Sequence, residues 1–81
     1  MRINTPERQQ LAHEIGIRIF DQRKHLALTR KELAIQVGCT DRTIEYYEDG
    51  IRLPDIEVLV YLCEALKIDA NYLVGVRRVQ V

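Results

Sequence analysis

Apolar positions recur at helical spacing in five stretches of this chain, each bracketed by residues that start and stop helices. Leu11, Ile15 and Ile19, at i, i+4 and i+8, predict a helix that opens at Thr5-Pro6 and runs to about Lys24, with that row facing a core. Thr29-Arg30-Lys31-Glu32 has the form of a capping box, in which Thr accepts from the first turn and Glu reaches back. It starts a second helix bearing Leu33, Ala34 and Val37, stopped by Gly38. Thr40 caps a third helix that ends near Glu48, where Gly50 can take the left-handed conformation. Asp55, after Pro54, caps a fourth helix, apolar at Val58, Leu59, Leu62, Cys63 and Leu66. Asp69 caps a short fifth, carrying Tyr72 and Leu73 and ended by Gly75. Only residues 76–81 are β-prone. The pattern predicts an all-α fold of five short helices, with a core over residues 6–75, two small termini and no repeat or linker.

Composition narrows this to one unit. With 81 residues, 47% hydrophobic and 30% charged, the chain suits a single domain over residues 1–81. No apolar run approaches the ~18 residues of a membrane span. The start, from Met1 to Glu7, lacks the apolar stretch of a secretion signal, so the expectation is a cytoplasmic protein with no membrane partner. Cys39 and Cys63 fall within the apolar pattern, away from any His or second Cys at ligand spacing. They are expected as small buried hydrophobes, with no metal site. His13 and His25 have no acidic or Cys companion at a catalytic spacing, serine is absent, and no glycine-rich phosphate loop occurs. The expectation is therefore no catalytic residue, no cofactor and no small-molecule ligand: the chain is not expected to be an enzyme.

What remains is the spacing of the second and third helices. Only Gly38-Cys39-Thr40 separates them, with the glycine where the chain must turn sharply, and this is helix-turn-helix spacing. Packing the first of the pair on the core leaves the second projecting, where it can enter a DNA major groove. At about 100° per residue, Ile44, Tyr47 and Glu48 share the packing side of the third helix. Asp41, Arg42, Glu45, Tyr46 and Asp49 share the exposed side. Of these, Arg42 suits guanine, Asp41 a cytosine amine, and Tyr46 a thymine methyl or a phosphate, so these three are the candidate base-reading residues. Arg30, at the start of the second helix where free N–H groups favour an anion, and Arg52, in the loop after the third, are candidate phosphate contacts, together with Thr29, Thr40 and Thr43.

The net charge is zero, from twelve basic and twelve acidic residues, and lends DNA binding no support. Asp41, Glu45 and Asp49 even make the presented face net negative.

The stretch from Ile15 to Gly75 resembles the Cro/repressor type of helix-turn-helix, the family of lambdoid phage repressors and many bacterial xenobiotic-response regulators. The resemblance lies in Leu28-Thr29-Arg30-Lys31-Glu32-Leu33-Ala34, Val37-Gly38-Cys39-Thr40, Ile44-Glu45-Tyr46-Tyr47-Glu48-Asp49-Gly50 and Arg52-Leu53-Pro54. It continues through Leu59, Leu62-Cys63, Leu66-Lys67-Ile68 and Tyr72-Leu73-Val74-Gly75. It implies a five-helix, lambda-repressor-like DNA-binding domain with the helix-turn-helix at the second and third helices. It also implies an ion pair between Arg23 and Glu48, a structural rather than a DNA-contacting role. The chain departs from the family at Arg30 and Asp41, where Gln is common, at Tyr47, where Trp, Ile or Leu is common, and at Gln22, where an apolar residue is usual. The first two mean that the resemblance implies no particular target sequence, and the last two imply a slightly different core.

Together these readings predict a transcriptional regulator of bacterial or phage type, a repressor that binds a palindromic double-stranded operator as a homodimer. The alternative is a helix-turn-helix protein-interaction module, antitoxin-like or anti-repressor-like, whose acidic third helix meets a basic partner. Residues 76–81 could add a strand to their copy in a second subunit, or fray.

Overall fold

The structure, a computed structural model, describes residues 5–75. Its helices are α1 (Pro6–His25), α2 (Arg30–Val37), α3 (Asp41–Glu48), α4 (Ile56–Leu66) and α5 (Ala70–Val74), and the described residues include no strand. The segment expected as a dimerisation strand, residues 76–81, lies outside the described residues.

Each helix begins where a side-chain oxygen takes up a first-turn N–H that has no partner within the helix. Thr5, Thr29, Thr40, Asp55 and Asp69 supply those oxygens. At Thr29 the capping box is complete: its hydroxyl accepts from the Glu32 N–H at 3.0 Å, and its own N–H donates to Glu32 Oε1 at 2.8 Å. Gly38 ends α2 at φ 87°, a left-handed conformation that costs a side-chain-bearing residue energy, and the chain turns there directly into α3.

The core gathers Ile15 and Ile19 from α1, Leu33, Ala34 and Val37 from α2, Ile44 and Tyr47 from α3, Leu62 and Leu66 from α4, and Leu73 from α5. Tyr72, beside Leu73 in α5, faces outward. The first turns of α1 depart from expectation. The apolar pattern puts Leu11 in a core row with Ile15 and Ile19, but it is 40% exposed. A row of every fourth residue drifts by about 40° per step, which carries Leu11 about 80° around the helix from Ile19, and the small Ala12 is buried in its stead. Cys39 and Cys63 are half-buried rather than buried; both pack against the core, and partial desolvation pushes each thiol pKa up.

α3 packs against both α1 and α2. The approach of α1 is close enough to need Gly16. A Cβ at that position would lie 2.5 Å from the carbonyl oxygens of both Tyr47 and Glu48. The end of α3 therefore rests on the backbone of α1. No helix among the described residues is long and apolar enough to cross a membrane.

Candidate nucleic-acid interface

The face of α3 that is turned from the core starts at a hydroxyl pair. Thr40 Oγ1 accepts from the Thr43 N–H at 3.2 Å and lies 3.0 Å from Thr43 Oγ1, so the two threonines close the first turn together. Asp41 Oδ1 accepts from the Arg42 N–H at 2.9 Å. Its negative charge sits at the positive end of the helix dipole, a favourable place for it. Asp41, Arg42 and Asp49 are exposed, whereas Glu45 and Tyr46, expected to be exposed with them, are half-buried.

Arginines partly cover Tyr46. Arg42 Nη1 donates to the Tyr46 hydroxyl at 3.2 Å, and the Arg42 Cζ lies 5.8 Å from the ring centroid. Arg52 brings its own Cζ to 5.6 Å from the same centroid. The hydrogen bond to Tyr46 is the main reason that the Arg42 pKa is pushed above its ordinary value, with the negative charges of Glu45 and Asp41 adding to it. Three of the candidate DNA contacts, Arg42, Tyr46 and Arg52, thus form one cluster that the sequence did not link.

Glu48 anchors the other side of the helix. Arg23 grips it with two bonds, Nε to Oε2 at 2.6 Å and Nη2 to Oε1 at 3.1 Å, and Arg23 Nη1 donates to the Leu28 carbonyl at 2.8 Å. Arg30 completes the arrangement, its Nε donating to Glu48 Oε1 at 3.0 Å. The Glu48 side chain is only 1% exposed, so all three bonds act where water competes little. The bond from Arg30 was not expected. It raises the Arg30 pKa and spends part of the guanidinium on the protein itself. What is left of Arg30 borders a shallow depression of about 250 Å³ whose other walls are Asp41, Arg42 and Glu45.

The structure thus brings Arg30, Asp41 and Arg42 to one depression, places Arg42, Tyr46 and Arg52 in one cluster, and puts Thr40 and Thr43 at the helix start between α2 and α3. Thr29 stands apart, at the start of α2, with its hydroxyl engaged by the Glu32 N–H. No group of His, Cys, Asp or Glu among the described residues has the geometry to hold a metal ion.

Comparison with known proteins adds an independent line. A family model described as a helix-turn-helix domain matches residues 14–72. The cryptic phage CTXphi transcriptional repressor RstR of Vibrio cholerae serotype O1 is 34% identical over 62 residues, which are 76% of this chain and 55% of that protein. The chain thus spans about half the length of the curated relative it matches. Among solved structures, the P22 c2 repressor in complex with synthetic operator 9T is similar at a TM-score of 0.73 and 32% identity, over 74% of this chain and 91% of that one. The restriction-modification controller protein C.AhdI of Aeromonas hydrophila has the same TM-score, 0.73, at 24% identity, over 76% of this chain and 94% of its own, a likeness of fold alone. The competence regulator ComR of Streptococcus vestibularis, in its apo form, is similar at a TM-score of 0.75 and 25% identity, over 88% of this chain and 24% of its own.

Proposed function

The chain belongs to the helix-turn-helix family, with the Cro/repressor type of fold, and from this we propose that it is a sequence-specific, double-stranded-DNA-binding transcriptional repressor. One observation carries the proposal. The face of α3 turned from the core presents Asp41, Arg42 and Tyr46 side by side with Arg52, and neither arginine is paired with a carboxylate among the described residues.

In this reading α3 enters the major groove, with Arg42 toward guanine and Asp41 able to accept from a cytosine amine. Arg30, Arg52, Thr29, Thr40 and Thr43 lie toward the phosphates. Two copies bind a palindromic operator as a homodimer, their α3 helices about 34 Å apart, one turn of DNA. The protein acts in the cytoplasm, on DNA and without an enzymatic step.

Selection of bound duplexes from a random pool tests the proposal, because it reports affinity and the symmetry of the site together. The expected result is a two-fold symmetric consensus. Arg42→Ala then costs about 1–3 kcal/mol per half-site and relaxes the preference at one base pair, whereas Arg52→Ala weakens all duplexes alike. A pool that shows no enrichment at low salt refutes the proposal. It favours instead a protein-interaction role for the acidic residues Asp41, Glu45 and Asp49.

A further inference from the structure

We propose that Tyr46 contributes to specificity through Arg42, as a positioning residue whose hydroxyl and ring hold the guanidinium ready for a base, rather than by a base contact of its own. The inference rests on the DNA-reading role of α3 and assigns a division of labour within it.

Geometry supports it at several atoms of one residue. The Tyr46 hydroxyl accepts from Arg42 Nη1 at 3.2 Å, and both the Arg42 and Arg52 guanidiniums lie over its ring. The Tyr46 carbonyl accepts from the backbone N–H groups of Ile51 at 2.9 Å and Arg52 at 3.3 Å. Tyr46 therefore ties the loop after α3 to the helix by its main chain, and the two cations to each other by its side chain. Two like charges approach the same ring because its electron-rich face attracts both, where they would otherwise repel.

Arg42 had other options on its own helix. Asp41 and Glu45 both favour its charge, yet it makes no ion pair with either among the described residues. Pairing with a carboxylate would commit the planar edge that guanine needs. The bond to Tyr46 takes one donor and leaves an adjacent pair free for O6 and N7. An arginine held in this way loses less freedom when it meets the base. Immobilising a rotamer-rich side chain costs binding about 2- to 12-fold, and the contact to Tyr46 meets part of that cost before DNA arrives.

Tyr46→Phe separates the parts, since it keeps the ring and removes only the hydroxyl. Two measurements on the full chain test the proposal. In the free protein, NMR relaxation of the Arg42 Nε–H group reports how firmly the guanidinium is held. The expected result is an ordered side chain in the parent protein and a clearly more mobile one in Tyr46→Phe, with the Arg23 Nε–H unchanged as an internal control. Arg42 equally mobile in both overturns the proposal, whatever DNA does.

Competition between the selected duplex and a scrambled one of equal composition gives the second measurement. Tyr46→Phe is expected to lower the specificity ratio about 2- to 12-fold, with little change in affinity for the scrambled duplex. The same substitution made in an Arg42→Ala background is expected to change the ratio no further. If it lowers the ratio equally in both backgrounds, Tyr46 reads a base itself and the positioning role is wrong; no change in either background also overturns it. An ordered Arg42 that loosens in Tyr46→Phe, in a protein that binds no duplex, upholds the clamp and overturns the DNA reading, so the two can fail separately.

Discussion

Glu48 is the residue on which the orientation of α3 depends most. Its carboxylate, all but removed from water, receives two bonds from Arg23 on α1 and one from Arg30 on α2, so a single acid ties three helices. Such a group is worth little against a well-packed apolar substitute but a great deal against its own loss, because removing the acid leaves buried Arg23 with an uncompensated charge. Glu48→Ala is therefore expected to destabilise the fold by about 3–5 kcal/mol in urea or thermal unfolding. Glu45→Ala, one turn earlier and half-buried in the polar depression, is expected to stay within about 0.5 kcal/mol of the parent. Equal losses for the two variants remove the triad from the account of stability. Gly16 makes the same point by steric means. A methyl group there meets the Tyr47 and Glu48 carbonyls at 2.5 Å, and these are backbone atoms that cannot rotate aside. Gly16→Ala is accordingly expected to lower stability by about 1–3 kcal/mol, the opposite of the usual gain from replacing glycine within a helix. A variant as stable as the parent would mean that α1 and α3 do not meet so closely.

Individual helices were largely legible in the sequence, and for a local reason. The caps at Thr5, Thr29, Thr40, Asp55 and Asp69 act within a turn of their own position, so they can be found without knowing what packs where. The bond from Arg30 to Glu48 was not legible, because it joins residues 18 apart across the meeting of two helices and depends on a side-chain conformation that no local pattern specifies. The link from Tyr46 to Arg52 escaped for a related reason: the loop has to fold back on the helix before the two can meet. Gly16 carries no signal in the apolar pattern, since the pattern marks which face is buried but not how near the neighbouring backbone comes.

The capping box of α2 also has a pH signature. Bonding from the Thr29 backbone and hydroxyl holds the Glu32 pKa below its ordinary 4.5. A carboxylate with a depressed folded pKa adds stability that is fully present above the unfolded value and is lost as pH falls through the folded one. Thermal unfolding followed downward from pH 4.5 is therefore expected to show a shallower acid loss in Glu32→Gln, since Gln can still reach back to Thr29 but does not titrate in that range. Identical acid limbs in the two proteins argue against the box.

At the scale of the whole molecule, the charge arrangement decides how DNA would be approached. Twelve basic and twelve acidic residues cancel, so no net field draws a duplex from a distance, and association is expected in the unsteered range of about 10⁵–10⁶ M⁻¹s⁻¹. Attraction must then be local and short. Arg23 is buried against Glu48 and out of reach of a phosphate, which leaves Arg30, Lys31, Arg42 and Arg52 around α3, opposed by the exposed Asp41 and Asp49. Each phosphate neutralised by a cation contributes about −0.9 to the slope of log K against log salt. With Arg42 turned to a base, Arg30, Lys31 and Arg52 are left for phosphates. Three contacts per protomer thus set a ceiling near −2.7, and a fourfold rise in salt is expected to weaken binding by at most roughly fortyfold per protomer. Arg52→Ala is expected to make the slope shallower by about one unit while the preferred sequence stays the same, because a phosphate contact carries no base information. A slope far steeper than this ceiling would mean that cations away from α3 dominate the contact, and that the small basic cluster around Tyr46 is not the principal electrostatic hold on the duplex.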